Sequence, residues 1–220
     1  MLGAGDFVKV LVVDTCEEVG TVALCDGELA VAEATLAARG SSSGLVPAIA
    51  QLLKKQGWSL AELDGVGVVS GPGSFTGVRV GLAAAKGLCE VAGLPLVAVS
   101  RLEVLAAAAG LKDGCAVLNA GRGEVYVRLA ATGNERLCGL DEARTIAAGG
   151  RIVVAEDRML AAFTGEQVAL LEIHAAQALP IVLRALSIGA GDAALVDANY
   201  VRGERDIYGK SRAAVSGESA

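Results

Sequence analysis

The residues best placed for chemistry in this chain form one glycine-rich loop, Gly71-Pro72-Gly73-Ser74-Phe75-Thr76-Gly77, set between a short apolar run and a helical pattern. A strand that turns through glycines into a helix aims backbone N–H groups at an anion such as a phosphate. The loop is not a P-loop, because no Gly-Lys-Ser/Thr closes it, and its displaced third glycine departs from the dinucleotide-binding fingerprint. A tight strand-to-helix turn would use the same residues. Asp14-Thr15 ends the first apolar run and, together with Gly73 and Ser74, is the possible phosphate or nucleotide contact. Glu17 and Glu18 follow at once and would repel phosphate, which favours a plain turn there.

Other chemistry-bearing types are isolated. His174 is the only histidine and has no Ser, Cys or Asp motif beside it, so it reads as a surface or helix-cap residue. Cys16, Cys25, Cys89, Cys115 and Cys138 form no CxxC pair and sit mostly in apolar segments, as small buried thiols do in a reducing compartment. A structural zinc site needs four close ligands. No catalytic residue and no metal ligand is therefore assigned.

Composition narrows the setting. Hydrophobic residues make up 53% of the 220, so one large or two small domains can bury a core. Mean hydropathy is +0.53, yet the longest uncharged stretches, Gly40–Leu53 and Gly65–Val78, are 14 residues each and contain glycines. A spanning helix needs ~20 apolar residues. Asp6 and Lys9 interrupt the beginning of the chain before any signal-like apolar run. No membrane association and a cytoplasmic location are expected. The net charge of −6 supplies no basic face for nucleic acid, so any nucleic-acid role is expected to be indirect.

The elements that would hold these residues follow from periodicity. Strands are expected at 8–13, Gly20–Cys25 and Glu28–Leu36, the last two joined at the hairpin signal Asp26-Gly27. Ser41-Ser42-Ser43 offer caps to a helix carrying Leu45, Val46, Ile49, Leu52 and Leu53, with Pro47 in its first turn and Gly57 as its stop. A strand over Asp64–Ser70, a helix from about Val78 to Val91 ended by Gly93, a strand at Leu96–Val99 and a helix over Arg101–Ala109 complete a β-β-β-α-β-α-β-α half. Beyond it, strands are expected at Cys115–Leu118, Glu124–Ala130 and Arg151–Ala155. Helices are expected at Asp141–Ala147, Met159–Phe163 and Ala175–Ser187, the last with Pro180 awkwardly inside. Gly77, Gly81 and Ala85 recur every four residues on one helix face. Glycine inside a helix costs ~1 kcal/mol relative to alanine, so this stripe asks for a close backbone, either in the chain's own sheet or in a partner.

The segment Gly71–Gly81 with Ala85-Lys86-Gly87-Leu88 resembles the signature of the TsaB (YeaZ) family. Leu11–Thr15 with Gly20–Leu24 is similar to that family's opening hairpin, Gly123-Glu124-Val125-Tyr126 to its Gly-Glu-Val-Tyr element, and Asn199-Tyr200-Val201-Arg202 to its C-terminal Tyr-Leu-Arg. The resemblance implies an α/β, actin-like (ASKHA, ribonuclease H-like) duplicated fold, with lobes expected at 1–110 and 111–202 and a polar tail at 203–220. It implies partnership with the catalytic relative TsaD and the ATPase TsaE in placing threonylcarbamoyl on N6 of the adenosine next to the anticodon in ANN-decoding tRNAs. TsaD-like relatives follow the same loop with His-x-x-x-His, which binds a metal; Arg101 and Leu105 stand there and offer no lone pair. The chain is thus expected to be a non-catalytic subunit without a cofactor of its own, ATP or ADP belonging to the complex. The expected surface for TsaD, or for a second copy in a homodimer, is Leu45, Val46, Ile49, Leu53, Gly77, Gly81, Leu82, Ala85 and Leu88. Two departures stand out. Asn119-Ala120-Gly121 replaces the family's Asp-Ala-Arg, and its histidine before the first helix is replaced within Ser41–Gly44. An independent ASKHA ATPase or phosphotransferase, which would bind nucleotide alone, and an NADP-binding Rossmann enzyme using Arg101 remain the alternatives. The opening meander argues against the latter.

Overall fold

The computed structural model describes residues 8–36, 41–147, 150–163, 167–194, 196–199 and 201. Tyr200, Arg202 and the tail expected at 203–220 lie outside them. The β-branched runs form the opening strands β1 (Lys9–Asp14), β2 (Thr21–Asp26) and β3 (Leu29–Thr35) as an antiparallel meander. Two further strands, β4 (Gly65–Val69) and β5 (Leu96–Val99), add in parallel beside β1, giving the order β3-β2-β1-β4-β5.

The sequence of β4, Gly-Val-Gly-Val-Val, shows how the two faces of this sheet are used. Side chains alternate across a strand, so Gly65 and Gly67 share one face and Val66 and Val68 the other. The valines meet the long helix α2 (Phe75–Ala92), and the glycines admit α6 (Leu179–Ser187). A Cβ at Gly67 would lie 2.5 Å from Val182 Cγ2. The neighbouring helix α1 (Ser41–Gln56) buries Leu45, Ile49, Leu52 and Leu53. It starts earlier than the leucine pattern suggests, so the serines lie within it and Pro47 falls in its second turn. There the ring forgoes the bond to the carbonyl of Ser43. The same early start marks α2, which begins at Phe75, three residues before the expected Val78; Ser74 is its N-cap and accepts from the Gly77 N–H (3.3 Å). Pro180 is not interior either. Ala175–Ala178 form a separate 3-10 turn, which puts the proline in the first turn of α6, where it is tolerated.

The second sheet contains β6 (Cys115–Gly121), β7 (Glu124–Leu129), β8 (Glu135–Gly139), β9 (Ile152–Val154) and β10 (Val168–Leu170), ordered β10-β9-β6-β7-β8. Its first three strands are antiparallel and the last two join parallel to β6. Both sheets therefore have one topology: a three-strand meander whose first strand receives two parallel neighbours. β8 and β10 were not apparent in the sequence, because each is short and at a sheet edge. Between the sheets lies α3 (Arg101–Ala108), whose Leu102, Val104 and Leu105 share a core with Ala116, Leu118 and Val153. On the far side of the second sheet, α4 (Leu140–Ile146) and α5 (Asp157–Leu160) cover Val117, Val127 and Ile152. The chain then returns: Ala175, Leu179 and Val182 belong to the core of the first sheet, although they fall in the stretch expected for the second lobe.

The Gly67→Ala variant should lose about 1–3 kcal/mol of stability, the range for overpacking a filled interface. Urea unfolding checks this, with Gly87→Ala as the control, since a Cβ there meets nothing within 4 Å.

Candidate functional site

Where β1 ends, its last residues turn inward and meet the glycine loop. Thr15 is fully buried, and its Oγ1 donates to the Gly77 carbonyl (2.7 Å). The Cys16 thiol donates to the Val69 carbonyl (3.2 Å), and the Cys16 carbonyl accepts from the Ser74 N–H (2.7 Å). Asp14 accepts from the Cys16 N–H (2.9 Å). This chain's own backbone therefore packs closely against the loop and the first turns of α2. A Cβ at Gly73 would lie 2.4 Å from the Cys16 carbonyl oxygen, at Gly77 2.0 Å from that of Thr15, and at Gly81 2.3 Å from Thr15 Oγ1.

These contacts correct two sequence expectations. Asp14, Thr15, Gly73 and Ser74 come together, but as an internal joint: the Ser74 and Gly77 N–H groups are spent on Cys16 and on the helix cap. The stripe Gly77, Gly81 and Ala85 faces this joint and the sheet and is buried within the chain itself. Leu45, Ile49, Leu53 and Leu82 are likewise in the core, leaving Val46 exposed and Leu88 half-buried from the expected interface set.

Behind the joint lies Arg101, only 3% exposed, at the first turn of α3. Its N–H donates to the Gly71 carbonyl (2.7 Å) and its guanidinium pairs with Glu17. Its Nε has no hydrogen-bond partner among the described residues. Burial opposes its charge, but the Asp14 and Glu17 carboxylates outweigh that and raise its pKa. Burial likewise raises the Asp14 carboxyl, with Arg101 working against the rise. The Cys16 thiol goes well up, through burial and then the nearby Asp14 charge, so it is not a poised nucleophile. Leu105, one turn along α3, is wholly buried.

Arg101 forms part of the wall of a cleft of about 500 Å³ between the two sheets. From the first lobe come Glu17, Glu18, Val19, Thr21 and Thr35. Glu156, Asp157, Leu170, Glu172 and His174 line it from the later part of the chain. These described residues include five carboxylates, of which Glu17 pairs with Arg101 and Glu156 feels its charge. Glu156 is raised by burial, lowered in part by Arg101 and raised again by Glu17, while accepting from the Asn119 N–H (3.2 Å). Asn119 also accepts through its own side chain from the Gly121 N–H (2.8 Å), so this pair shapes the β6–β7 turn. His174 is exposed, at the N-cap of the 3-10 turn. Among the described residues, no three His, Cys, Asp or Glu side chains come together as a metal site, and no helix is long and apolar enough to cross a membrane. Glu156 and Glu172 escaped the sequence reading because lone acidic residues beside short strands carry no periodic signal.

Two mixed sheets of one topology with a cleft between them make this a two-lobed actin-like (ASKHA) protein. The crystal structure of a protein from Pseudomonas aeruginosa, described as uncharacterized and similar to peptidase YeaZ, superposes with a TM-score of 0.73 and 25% identity, covering 89% of this chain and 100% of that one. The ethanolamine utilization protein EutJ of Carboxydothermus hydrogenoformans shares the fold alone, with a TM-score of 0.50 and 16% identity over 82% of this chain and 91% of its own. The model of the family described as "TsaD: tRNA N6-adenosine threonylcarbamoyltransferase" matches residues 34–188. The tRNA threonylcarbamoyladenosine biosynthesis protein TsaB of Escherichia coli (strain K12) is 36% identical over 123 residues, 54% of this chain and 53% of that protein. The chain belongs to this family and is similar to its TsaB (YeaZ) members. It spans about half the length of the curated TsaB relatives that it matches.

The raised Glu156 carboxyl gives a pH test. A group that holds its proton more tightly when folded stabilises fully below its unfolded pKa and loses that contribution as pH rises through its folded pKa. The Glu156→Gln variant keeps the acceptor for Asn119 and cannot ionise. Its stability relative to the parent should rise from about pH 4 upward and level off once the folded Glu156 carboxyl of the parent has ionised, as read by urea unfolding at each pH.

Proposed function

We propose that this chain is a non-catalytic partner subunit of the machinery that places threonylcarbamoyl on N6 of the adenosine next to the anticodon in ANN-decoding tRNAs. Its work would be to present a surface to the catalytic relative, TsaD, with TsaE completing the assembly. The observation that carries this reading is the division of α2 into two faces. Gly77, Gly81 and Ala85 face the core, and on the outer side Ala83, Gly87 and Val91 are exposed, with Val91 84% exposed, beside the half-buried Val80. Beside it Val46 of α1 is 51% exposed, and Phe75, 58% exposed, lies under the Arg79 guanidinium at 3.7 Å. A small-residue helix surface flanked by a ring and a guanidinium suits close helix-to-helix docking. The same surface would pair two copies when the partner is missing.

The chemistry of the cleft supports the absence of catalysis. A nucleotide phosphate would enter among five carboxylates, and the nearby guanidinium is already paired with Glu17. Position 101 carries a guanidinium that stays protonated and position 105 a buried alkyl group, neither able to hold a metal. Nucleotide, where the assembly needs it, would be held at the level of the complex. The net charge of −6 fits an indirect relation to tRNA. The same buried pairing of Arg101 denies an NADP phosphate its counter-ion, and the acidic cleft disfavours an independent phosphotransferase.

Reconstitution tests the proposal. With tRNA, TsaD, TsaE and threonylcarbamoyl-adenylate, addition of this chain should restore modification, while the chain alone should yield none and show no ATP affinity in calorimetry. Ala83→Arg and Val91→Asp should each weaken TsaD binding at least about tenfold with an unchanged unfolding midpoint, as expected for residues central to an interface. Full binding by both variants would refute the α2 surface.

A further inference from the structure

Asn199 does not line the cleft and is not part of the outer α2 face, yet it makes some of the longest-range contacts among the described residues. The Asn199 N–H donates to the Ser70 carbonyl (2.8 Å), immediately before the glycine loop. Its side-chain Nδ2 donates to Glu135 Oε2 (2.9 Å), on the edge strand of the second sheet. Glu135 Oε1 accepts from Ser100 Oγ (2.5 Å) and from Arg128 Nη1 (3.0 Å). One carboxylate, 14% exposed, thus collects three donors from three elements: the second sheet, the residue preceding α3 and the returning C-terminal segment. Charge-assisted bonds of this kind are about twice as strong as neutral ones.

Ser70 and Gly71 are held from both sides. The Ser70 N–H donates to the Val99 carbonyl (2.9 Å), and the Gly71 carbonyl accepts from Arg101 (2.7 Å). A Cβ at Gly71 would lie 3.6 Å from the Asn199 carbonyl oxygen. Residues 196–199 form no helix or strand: Val196 and Ala198 pack against the core of the first sheet, and Asn199 adds these bonds.

We propose that residues 196–199 are a strap that sets the shape of the glycine loop according to the position of the second sheet, with Asn199 and Glu135 as its two anchors. The strap carries the placement of the second lobe to the start of α2. Its effect on partner binding would rest on the function proposed above, but the strap itself is a property of the isolated chain.

Hydrogen exchange on the isolated chain tests it. The Asn199→Asp variant sets one carboxylate against another and should speed exchange of the Ser74, Gly77 and Val78 amides about tenfold or more, the scale of one lost hydrogen bond, while Val12 and Ala23 stay protected. Combining Asn199→Asp with Glu135→Gln exchanges donor and acceptor. The amide oxygen still accepts from Ser100 and Arg128, its NH2 group donates to the new carboxylate, and loop protection should return. Unchanged loop amides in the single variant, or no recovery in the double variant, would overturn the strap. So would a uniform rise that includes Val12, because Asn199 would then be supporting the whole fold.

Discussion

The approach of α2 to the end of β1 is the constraint on which the rest of the structure depends. Thr15 inserts its hydroxyl against the Gly77 carbonyl, and no side chain larger than hydrogen fits at Gly77 or Gly81. Once the helix is seated there, the loop before it has a single route, closing on Cys16 through Ser74 and on Arg101 through Gly71. The inward face of α2 then belongs to the fold, and whatever the helix offers to another protein must come from its opposite side. Glycine destabilises an isolated helix, so the stripe is tolerable only because the close packing it permits offsets that cost.

Charge is the second organising element. Arg101 is buried beside Asp14 and Glu17 and faces the cleft shared with Glu156, so a covalently attached cation stands directly behind the joint. A buried ion cluster of this type contributes little net stability, because desolvation consumes most of the attraction. Its consequence is exclusion: the cleft floor is already neutralised, and its rim repels anions. The polar cluster around Glu135 has a different character. Its donors come from separate elements, and it ties together pieces of backbone that no strand pairing connects.

The duplicated topology explains why such ties are needed. Each sheet is a meander with two parallel additions, and α3 lies between them as a shared layer. Helix α6 returns to the first sheet through the space left by Gly65 and Gly67, and the segment after it reaches the glycine loop. No repeat was visible in the sequence. The two halves have the same strand order but fill it with different residues, and β8 and β10 are edge strands with weak alternation.

Much of the local structure was determined by sequence alone. The β-branched runs of β1, β2 and β4, the Asp26-Gly27 turn, the left-handed stop at Gly93, the buried thiols and the side chains without lone pairs at 101 and 105 all follow from residue type and nearest-neighbour spacing. Only the tertiary structure decided which face of α2 turns inward, that Ser74 rather than a later residue starts it, and that Glu156, Glu135 and Asn199 matter. The physical reason is range. Propensity and periodicity act within a helix turn or a strand pair, whereas Thr15 and Gly77 are 62 residues apart and Asn199 and Glu135 are 64 apart. A stripe of small residues states that something comes close, and only the folded chain shows that the neighbour is its own first strand.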